Sequence, residues 1–187
     1  DSSFHGTKTA QGNGGDGEDF YYTPPTGYKS LSTKSLDDPA IALPTAHFDS
    51  KLYTGTGSSQ SITTGLQPDF SWIKSRSQSA SHALFDTVRG ATKELISNAD
   101  AAEQTFSDSL TAFTSDGFTV GADTSGAHVN VNSQTYVSWN WKAASSNTSV
   151  SAGSIDGTNP TIATTRRTNT TSGFSIITYS GNGSSGQ

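Results

Sequence analysis

The stretch "TYVSWNWK", residues 135–142, decides the fold class of this chain. Successive side chains of a β-strand point to opposite faces, so Val137, Trp139 and Trp141 share one face of such a strand. We predict a strand over 134–142 whose apolar face, with both tryptophans, forms a wall of the core. The alternative is that these tryptophans stack on sugar rings.

Further strand-like runs surround this one, separated by turn signals rich in Gly, Asp and Ser. They lie near residues 50–54, 60–64, 69–76, 82–88, 110–114 and 117–121. Short strands at this cadence favour an antiparallel β-sandwich over a parallel α/β fold. Residues 91–106 fit either one or two helical turns or a strand followed by a loop. We therefore predict a mainly β fold.

The composition excludes several classes of function. The net charge is −5 and the basic residues form no stripe, whereas nucleic-acid binding needs clustered positive charge. No Cys is present, so disulfides and thiolate metal sites are excluded. The apolar runs are too short for a membrane span, and the first residues show no signal-peptide pattern. Aromatic residues make up 10% of the chain, which is not typical of a disordered protein.

Changes in composition divide the chain into segments. Residues 1–37 hold too few strands to fold alone, so they either pack on the next domain or are the end of a longer unit, with a turn at their Pro-Pro-Thr-Gly phrase. We predict that the rest consists of an extended linker at 38–48, a β-sandwich module at 49–143, a Ser/Thr-rich linker at 144–172 and the start of a second module copy at 173–187.

The second copy is predicted from a phrase that occurs twice. "YTGTGSS" at 53–59 and "YSGNGSS" at 179–185 agree at the Tyr, at both Gly and at both Ser residues. Self-similarity of this kind is the mark of a repeated module. We therefore expect β-modules in tandem.

No catalytic or metal-binding arrangement stands out. Canonical glycosidases need two facing carboxylates, but no predicted strand carries two acidic residues at i, i+2 spacing. Glu94 and Glu103 could form such a pair only through an unexpected fold. The four His residues are scattered, and His82 is expected to be a packed or strand-end residue. We predict no enzyme, no cofactor and no metal site, with a calcium site built from turn Asp residues as an open alternative.

Two aromatic residues are candidates for ligand binding. Trp72 lies in "DFSWIKSR" beside side chains that suit a solvated surface, and it fits a sugar-stacking platform as well as it fits a core position. Tyr22 and its neighbour Tyr21 point to opposite faces of their strand, so we expect one of them to be exposed.

The third candidate is Arg89, in the phrase "FDTVRG". Its guanidinium could bind an anionic sugar. We favour a structural role, in which Arg89 pairs with Asp86 to order a turn while Gly90 adopts a positive φ.

Several of these phrases resemble tail-fibre proteins of marine and cyanobacterial phages. "DSSFHGTKTAQGN" and "DFYYTPPTGYKSL" are similar to the C-terminal end of their SPRY-like, concanavalin-type β-sandwich. "FDTVRG", "SDGFTVG" and the ending "WNWK" resemble the repeated module that follows it, although relatives often carry Cys where this chain has Ser32 and Asn140. The resemblance implies antiparallel β-sandwich modules of concanavalin or jelly-roll type, in tandem.

The resemblance also implies a function. It indicates a structural virion appendage that displays β-sandwich modules and attaches to host-surface glycans. The implied partners are further copies of the chain, in a homotrimer or another homo-oligomer, and other virion proteins. The implied location is the virion, after assembly in the host cytoplasm. Two alternatives stay open: an architectural decoration or filament protein without glycan affinity, and a carbohydrate-active domain.

Overall fold

The computed structural model describes residues 25–28, 38–153 and 161–184. The chain forms two compact units, Asp1–Ala42 and Leu43–Gln187.

The first unit contains the predicted turn. The backbone N–H of Tyr28 donates to the carbonyl of Pro25 at 3.1 Å, and Gly27 has a φ of 89°. Gly adopts this left-handed conformation without the steric cost that a Cβ atom brings. The strands predicted elsewhere in 1–37, with candidate Tyr22, lie outside the described residues.

The regular secondary structure described in the second unit is almost entirely β-strand. A short 3-10 helix, Pro44–Ala46, precedes the first strand, inside the range predicted as a linker. The strands are β1 (Phe48–Thr54), β2 (Gln60–Thr63), β3 (Phe70–Ser75), β4 (Ala83–Asp86), β5 (Gly90–Ile96), β6 (Gln104–Thr105), β7 (Leu110–Thr114), β8 (Gly117–Val120), β9 (Thr135–Trp141), β10 (Thr148–Val150), β11 (Thr164–Asn169) and β12 (Phe174–Tyr179).

These strands form three antiparallel sheets. The strand orders are β1-β9-β3-β4-β5-β6, β2-β8-β7 and β10-β11-β12. The mainly β, antiparallel sandwich fold that we predicted is thereby confirmed. The ambiguous stretch 91–106 is a strand followed by a loop, because β5 runs to Ile96 and only the two-residue β6 follows. Within the described residues, no helix is long and apolar enough to cross a membrane.

The core lies between the six-stranded sheet and β2-β8-β7. Its buried cluster takes residues from both sheets and from the loop before β9: Ile62, Ile73, Ala83, Phe85, Leu110, Phe118, Val120, Ala127, Val129 and Tyr136. Complete burial of one large apolar side chain stabilises a fold by about 1.5–3 kcal/mol. These residues therefore hold the two sheets face to face.

The prediction for the two faces of β9 is wrong. Tyr136, Ser138 and Asn140 are fully buried toward this core, whereas Trp139 and Trp141 lie half-buried on the opposite face. The alternation itself is as predicted, but size and hydropathy do not identify the inner face here. Small polar side chains can be buried when their hydrogen bonds are satisfied.

Hydrogen bonds between neighbouring strands satisfy these inward polar groups. The Ser71 hydroxyl donates to Asn140 Oδ1 at 2.8 Å, and Asn140 Nδ2 donates to the Ser138 hydroxyl at 3.0 Å. Ser71 and Asn140 are also register partners in β3 and β9. The interior at this end of the sandwich is therefore a closed polar network.

The third sheet covers part of the outer face of the six-stranded sheet, the face opposite the core. Phe174 of β12 stacks on Trp141, with ring centroids 5.9 Å apart and planes 18° apart. The range 144–172, which we predicted to be a linker, carries β10 and β11 of this sheet. Its Ser and Thr residues form strands because β-branched Thr suits a pleated sheet and β12 supplies a pairing edge.

Candidate functional site

The outer face of the six-stranded sheet carries three rows of side chains that run across its strands. The strand register defines a covered row of Phe48, Trp141, Phe70 and Asp86, a central row of Ser50, Trp139, Trp72, Leu84 and Leu95, and an open row of Leu52, Val137 and Lys74. Residues in direct register share a face, so each row is contiguous.

The covered row is closed by the third sheet. Phe174 packs against both Phe70 and Trp141, with centroids 6.1 Å and 5.9 Å away, and Trp141 also contacts Phe48 at 5.0 Å. These aromatic rings therefore have partners within the unit, and Phe174 covers one face of Trp141.

The central row contains an aromatic pair that this contact leaves uncovered. Trp72 and Trp139 meet edge to face, with centroids 5.9 Å apart and planes 72° apart, and both are half-buried. The indole Nε1 of Trp72 donates to Nδ1 of His82 at 2.9 Å. His82 is thus a packed residue, as expected, and it fixes the orientation of the Trp72 ring.

The open row extends this pair toward solvent. Leu52 is 61% exposed, and Val137 is half-buried beside it. Lys74 Nζ donates to the Ser75 carbonyl at 2.8 Å, which places a positive charge at the border. We name Leu52, Trp72, Lys74, Val137 and Trp139 the aromatic patch. It combines two indole rings with apolar neighbours and a polar border.

Sequence reasoning found only one half of the central pair. Trp72 was a candidate, but Trp139 was expected in the core. The register of β3 with β9, which places Trp72 directly opposite Trp139, is the feature that brings them together. A sequence pattern does not reveal the register between β3 and β9, because these strands lie roughly 60 residues apart in the chain.

Arg89 forms the structural contact that we favoured. Its Nε lies 2.5 Å from Asp86 Oδ2, while the backbone N–H groups of Val88 and Arg89 donate to Asp86 Oδ1 at 2.9 Å and 2.8 Å. Gly90 has a φ of 112°, as predicted. The ion pair therefore closes the turn between β4 and β5. The hydrogen bonds and ion pairs described for Arg89 go to Asp86, Glu103 and Leu84, none of which belongs to the aromatic patch.

A cleft of about 400 Å³ lies between this turn and β12. Asp86, Arg89, Leu95 and Glu103 line one side, and residues 176–179 line the other. Glu103 Oε2 is 3.3 Å from Arg89, so the guanidinium is held between two carboxylates. In a glycosidase, the space between the two carboxylates must be open to the sugar oxygen and cannot be filled by an arginine. This geometry favours a structural role for Asp86 and Glu103, as ion-pair partners of Arg89, over a role as an acid–base pair.

A second acidic pair lies in the interior, and the sequence did not predict it. Glu94 is buried, and this burial, with the negative charge of Asp123, raises the pKa of Glu94 to about 7. Asp123 accepts hydrogen bonds from the Ser109 hydroxyl and the Asn130 N–H, each at 2.8 Å. Both carboxylate oxygens of Asp123 therefore accept a hydrogen bond, whereas Glu94 is partly protonated at neutral pH.

The described residues contain no group of three or more His, Asp or Glu side chains placed to hold a metal ion. The absence of a metal or cofactor in the whole chain stays a prediction.

Comparisons with known proteins bear on the family. No curated protein and no solved structure matches the chain. One protein family matches residues 43–187, an extent that coincides with the second compact unit. The match includes β10–β12, in agreement with their packing against the six-stranded sheet. The chain therefore belongs to the family described as "Domain of unknown function (DUF7483)".

Proposed function

We propose that this protein is a structural component of a virion appendage, such as a phage tail fibre, and that it attaches to host-surface glycans through the aromatic patch. The observation that carries the glycan proposal is the Trp72–Trp139 pair, which is half-buried and therefore partly accessible on an outer sheet face. The appendage, its oligomeric state and the concanavalin or jelly-roll type of its sandwich are proposed from the resemblance of the sequence.

The chemistry of the patch suits a sugar. A pyranose ring has an apolar C–H face and a rim of hydroxyl groups, so it needs an apolar platform with polar groups beside it. The indoles of Trp72 and Trp139 supply the platform, and Leu52 with Val137 extends it. Lys74 at the border is a hydrogen-bond donor for hydroxyl oxygens.

The orientation of Trp72 is set before any ligand arrives. Its hydrogen bond to His82 and its edge-to-face contact with Trp139 both restrict the ring. A rigid aromatic residue loses little conformational entropy on binding, which favours affinity.

A glycan array and a host-cell binding assay with the full chain test this proposal. We expect Trp139→Ala and Trp72→Phe to weaken binding about tenfold or more, which is typical of aromatic hot-spot residues. Tyr179→Ala is the matched control, because Tyr179 is an exposed aromatic residue outside the patch. Circular dichroism and thermal unfolding confirm that each variant is folded. Equal binding by wild type and both tryptophan variants would exclude the patch as the glycan site.

A purely architectural role is the second candidate. It is supported by the covered row, where aromatic side chains contact each other across two sheets. In this role the exposed Leu52 and Ile177 would contact other subunits. Light scattering of the full chain, with Leu52→Ser and Ile177→Ser, distinguishes the two functions. An oligomer that dissociates in these variants, without any glycan binding by wild type, would favour the architectural role.

A further inference from the structure

Strand β1 forms one edge of the six-stranded sheet. Among the described strands it pairs only with β9. Most of its side chains are exposed, including Phe48 at 39% and Leu52 at 61%. An unpaired edge presents a row of main-chain N–H and C=O groups that can pair with a strand of another chain. The outer edge of β1 is therefore a place where this sheet can be extended.

The main-chain groups of β1 alternate between β9 and the outer edge. Just outside the strand, the Lys142 N–H donates to the His47 carbonyl, and the Gly55 N–H donates to the Gln134 carbonyl, each at 2.8 Å. Both bonds continue the register of β1 with β9, so the odd-numbered residues of β1 bond to β9. The groups at the outer edge belong to the even-numbered residues, which are Phe48, Ser50, Leu52 and Thr54.

One end of the outer edge is already occupied. Gln60 Nε2 donates to the Thr54 carbonyl at 3.0 Å, so a side chain caps this position. No hydrogen bond between described residues caps the outward main-chain groups of Phe48, Ser50 or Leu52. The part of the edge that can accept another strand therefore runs from residue 48 to residue 52.

The sequence of this edge is complementary to itself. In an antiparallel pair of two β1 strands with Ser50 opposite Ser50, the even-numbered residues face each other, as hydrogen bonding requires. Phe48 then lies opposite Leu52, and Asp49 lies opposite Lys51. The first pair joins two exposed apolar side chains on the outer face, and the second joins opposite charges on the inner face. The ion pairs between described residues involve neither Asp49 nor Lys51, so both charges are available.

Other antiparallel registers of the same edge are less favourable. A pair centred on Lys51 sets two lysines opposite each other and needs the capped carbonyl of Thr54. A pair centred on Asp49 sets two aspartates opposite each other. Like charges directly opposite each other destabilise a sheet, and larger shifts leave fewer residues to pair. The two charges therefore select the register centred on Ser50.

We propose that the outer edge of β1 is a self-recognition site, through which two molecules of this protein pair antiparallel with Ser50 at the centre. The contact uses the same surface on both molecules and has a two-fold axis. Main-chain hydrogen bonds supply the attraction, and the Asp49–Lys51 pairs fix the register. The two six-stranded sheets become one continuous sheet.

The pairing also places the two aromatic patches on one face of the joined sheet. Leu52 of each molecule would contact Phe48 of the other, and the two central rows would meet at Ser50. Adjacent strands lie about 4.8 Å apart, so the two β9 strands that carry Trp139 would be about 14 Å apart. If the patch binds glycans, a pair of patches gains avidity. The pairing itself does not depend on glycan binding.

Analytical ultracentrifugation of the full chain over a concentration series tests this proposal. We expect reversible self-association of wild type, and weak association, because a contact of this length lies at the low end of interface sizes. Asp49→Lys and Lys51→Asp should each weaken self-association about tenfold or more, since each sets like charges opposite each other. Asp100→Lys is the matched control, because it changes the net charge equally at an exposed residue outside β1 and should have no effect.

A mixture of the two β1 variants makes the test specific. When Asp49→Lys pairs with Lys51→Asp, every charge again faces its opposite, so the mixture should associate within about threefold of wild type. Restored association also shows that both variants are folded. Self-association that survives in each variant alone, or a mixture that fails to associate, would place the contact elsewhere and overturn the proposal. Folded wild type that is monomeric up to about 1 mM would overturn it as well.

Discussion

Arg167 of β11 forms an ion pair with the buried Asp69, with Nη1 and Oδ1 2.5 Å apart. Asp69 precedes β3 and also accepts a hydrogen bond from the backbone of Ala143 at 2.8 Å. This single carboxylate thus connects the start of β3 with the chain after β9 and with the third sheet. The contact explains why β10, β11 and β12 pack on the sandwich although they are rich in Ser and Thr.

We expect Arg167→Leu to lower the free energy of unfolding by about 3 kcal/mol, because it leaves the charge of Asp69 buried without its cation. Urea unfolding at neutral pH measures this loss. Arg166→Leu is the matched control, since no ion pair of Arg166 is present among the described residues, and it should cost less than 1 kcal/mol, roughly. Equal losses for both variants would contradict a specific role of the Arg167–Asp69 pair.

Glu94 should make the stability fall as the pH rises. The pKa of Glu94 is raised to about 7 by burial and by Asp123, whereas an unfolded chain has its ordinary lower value. Between these values the folded state binds more protons, so stability is highest below the unfolded pKa and is lost as the pH rises through the folded pKa. The expected loss is on the order of 2 kcal/mol after allowance for solvent screening.

Urea unfolding between pH 4.5 and 8, roughly, checks this dependence with wild type and Glu94→Gln. Glu94→Gln should not lose stability as the pH rises, and it should be more stable than wild type at the upper end of this pH range. Glu103→Gln is the control, because Glu103 is largely exposed and pairs with Arg89 and Lys93. An unchanged pH dependence in Glu94→Gln would show that another group is responsible.

Gly55 and Gly181 hold the same place in the repeated phrase, but they should respond differently to the addition of a methyl group. Gly55→Ala places a Cβ atom against the Val131 carbonyl and should destabilise the unit by about 2–4 kcal/mol, as overpacking against a rigid backbone does. Gly181→Ala has open space and should change stability by less than about 0.5 kcal/mol. Thermal unfolding of both variants measures the difference. Similar melting temperatures would mean that Gly55 is not packed against the Val131 carbonyl.

Removal of the Phe174 ring should expose the covered row. Phe174→Ala takes away the stacking partner of Trp141 and should cost about 3 kcal/mol, within the range for truncated, well-packed aromatic residues. Tryptophan fluorescence of the folded variant should shift to longer wavelength, because Trp141 would meet water. Ile177→Ala, an exposed position on the same strand, should leave both quantities nearly unchanged. A fluorescence spectrum identical to wild type would contradict the stacking contact.

The strands of the central sandwich could be predicted closely from the sequence. Period-2 alternation and Gly/Asp turns placed β1, β3 and β9 within one or two residues of their observed bounds. The Asp86–Arg89 turn was also predicted, because its residues are neighbours in the chain. These features depend on local geometry, which a sequence pattern records directly.

The candidate site could be predicted only in part. Trp72 was identified, but the role of Trp139 and the pairing with His82 depend on strand register and on which face turns inward. The buried Glu94 beside Asp123 depends in the same way on the packing of two sheets.

The sequence by itself determined the class of the fold, the positions of most strands and the identity of the repeated phrase. Only the tertiary structure decided that the inner face of β9 carries Ser138 and Asn140 and that the tryptophans lie outside. The physical reason is that burial is a property of both sheet faces and their partners. A strand covered on one face by a hydrogen-bonded polar network and on the other by Phe174 has no single apolar side for a sequence pattern to reveal.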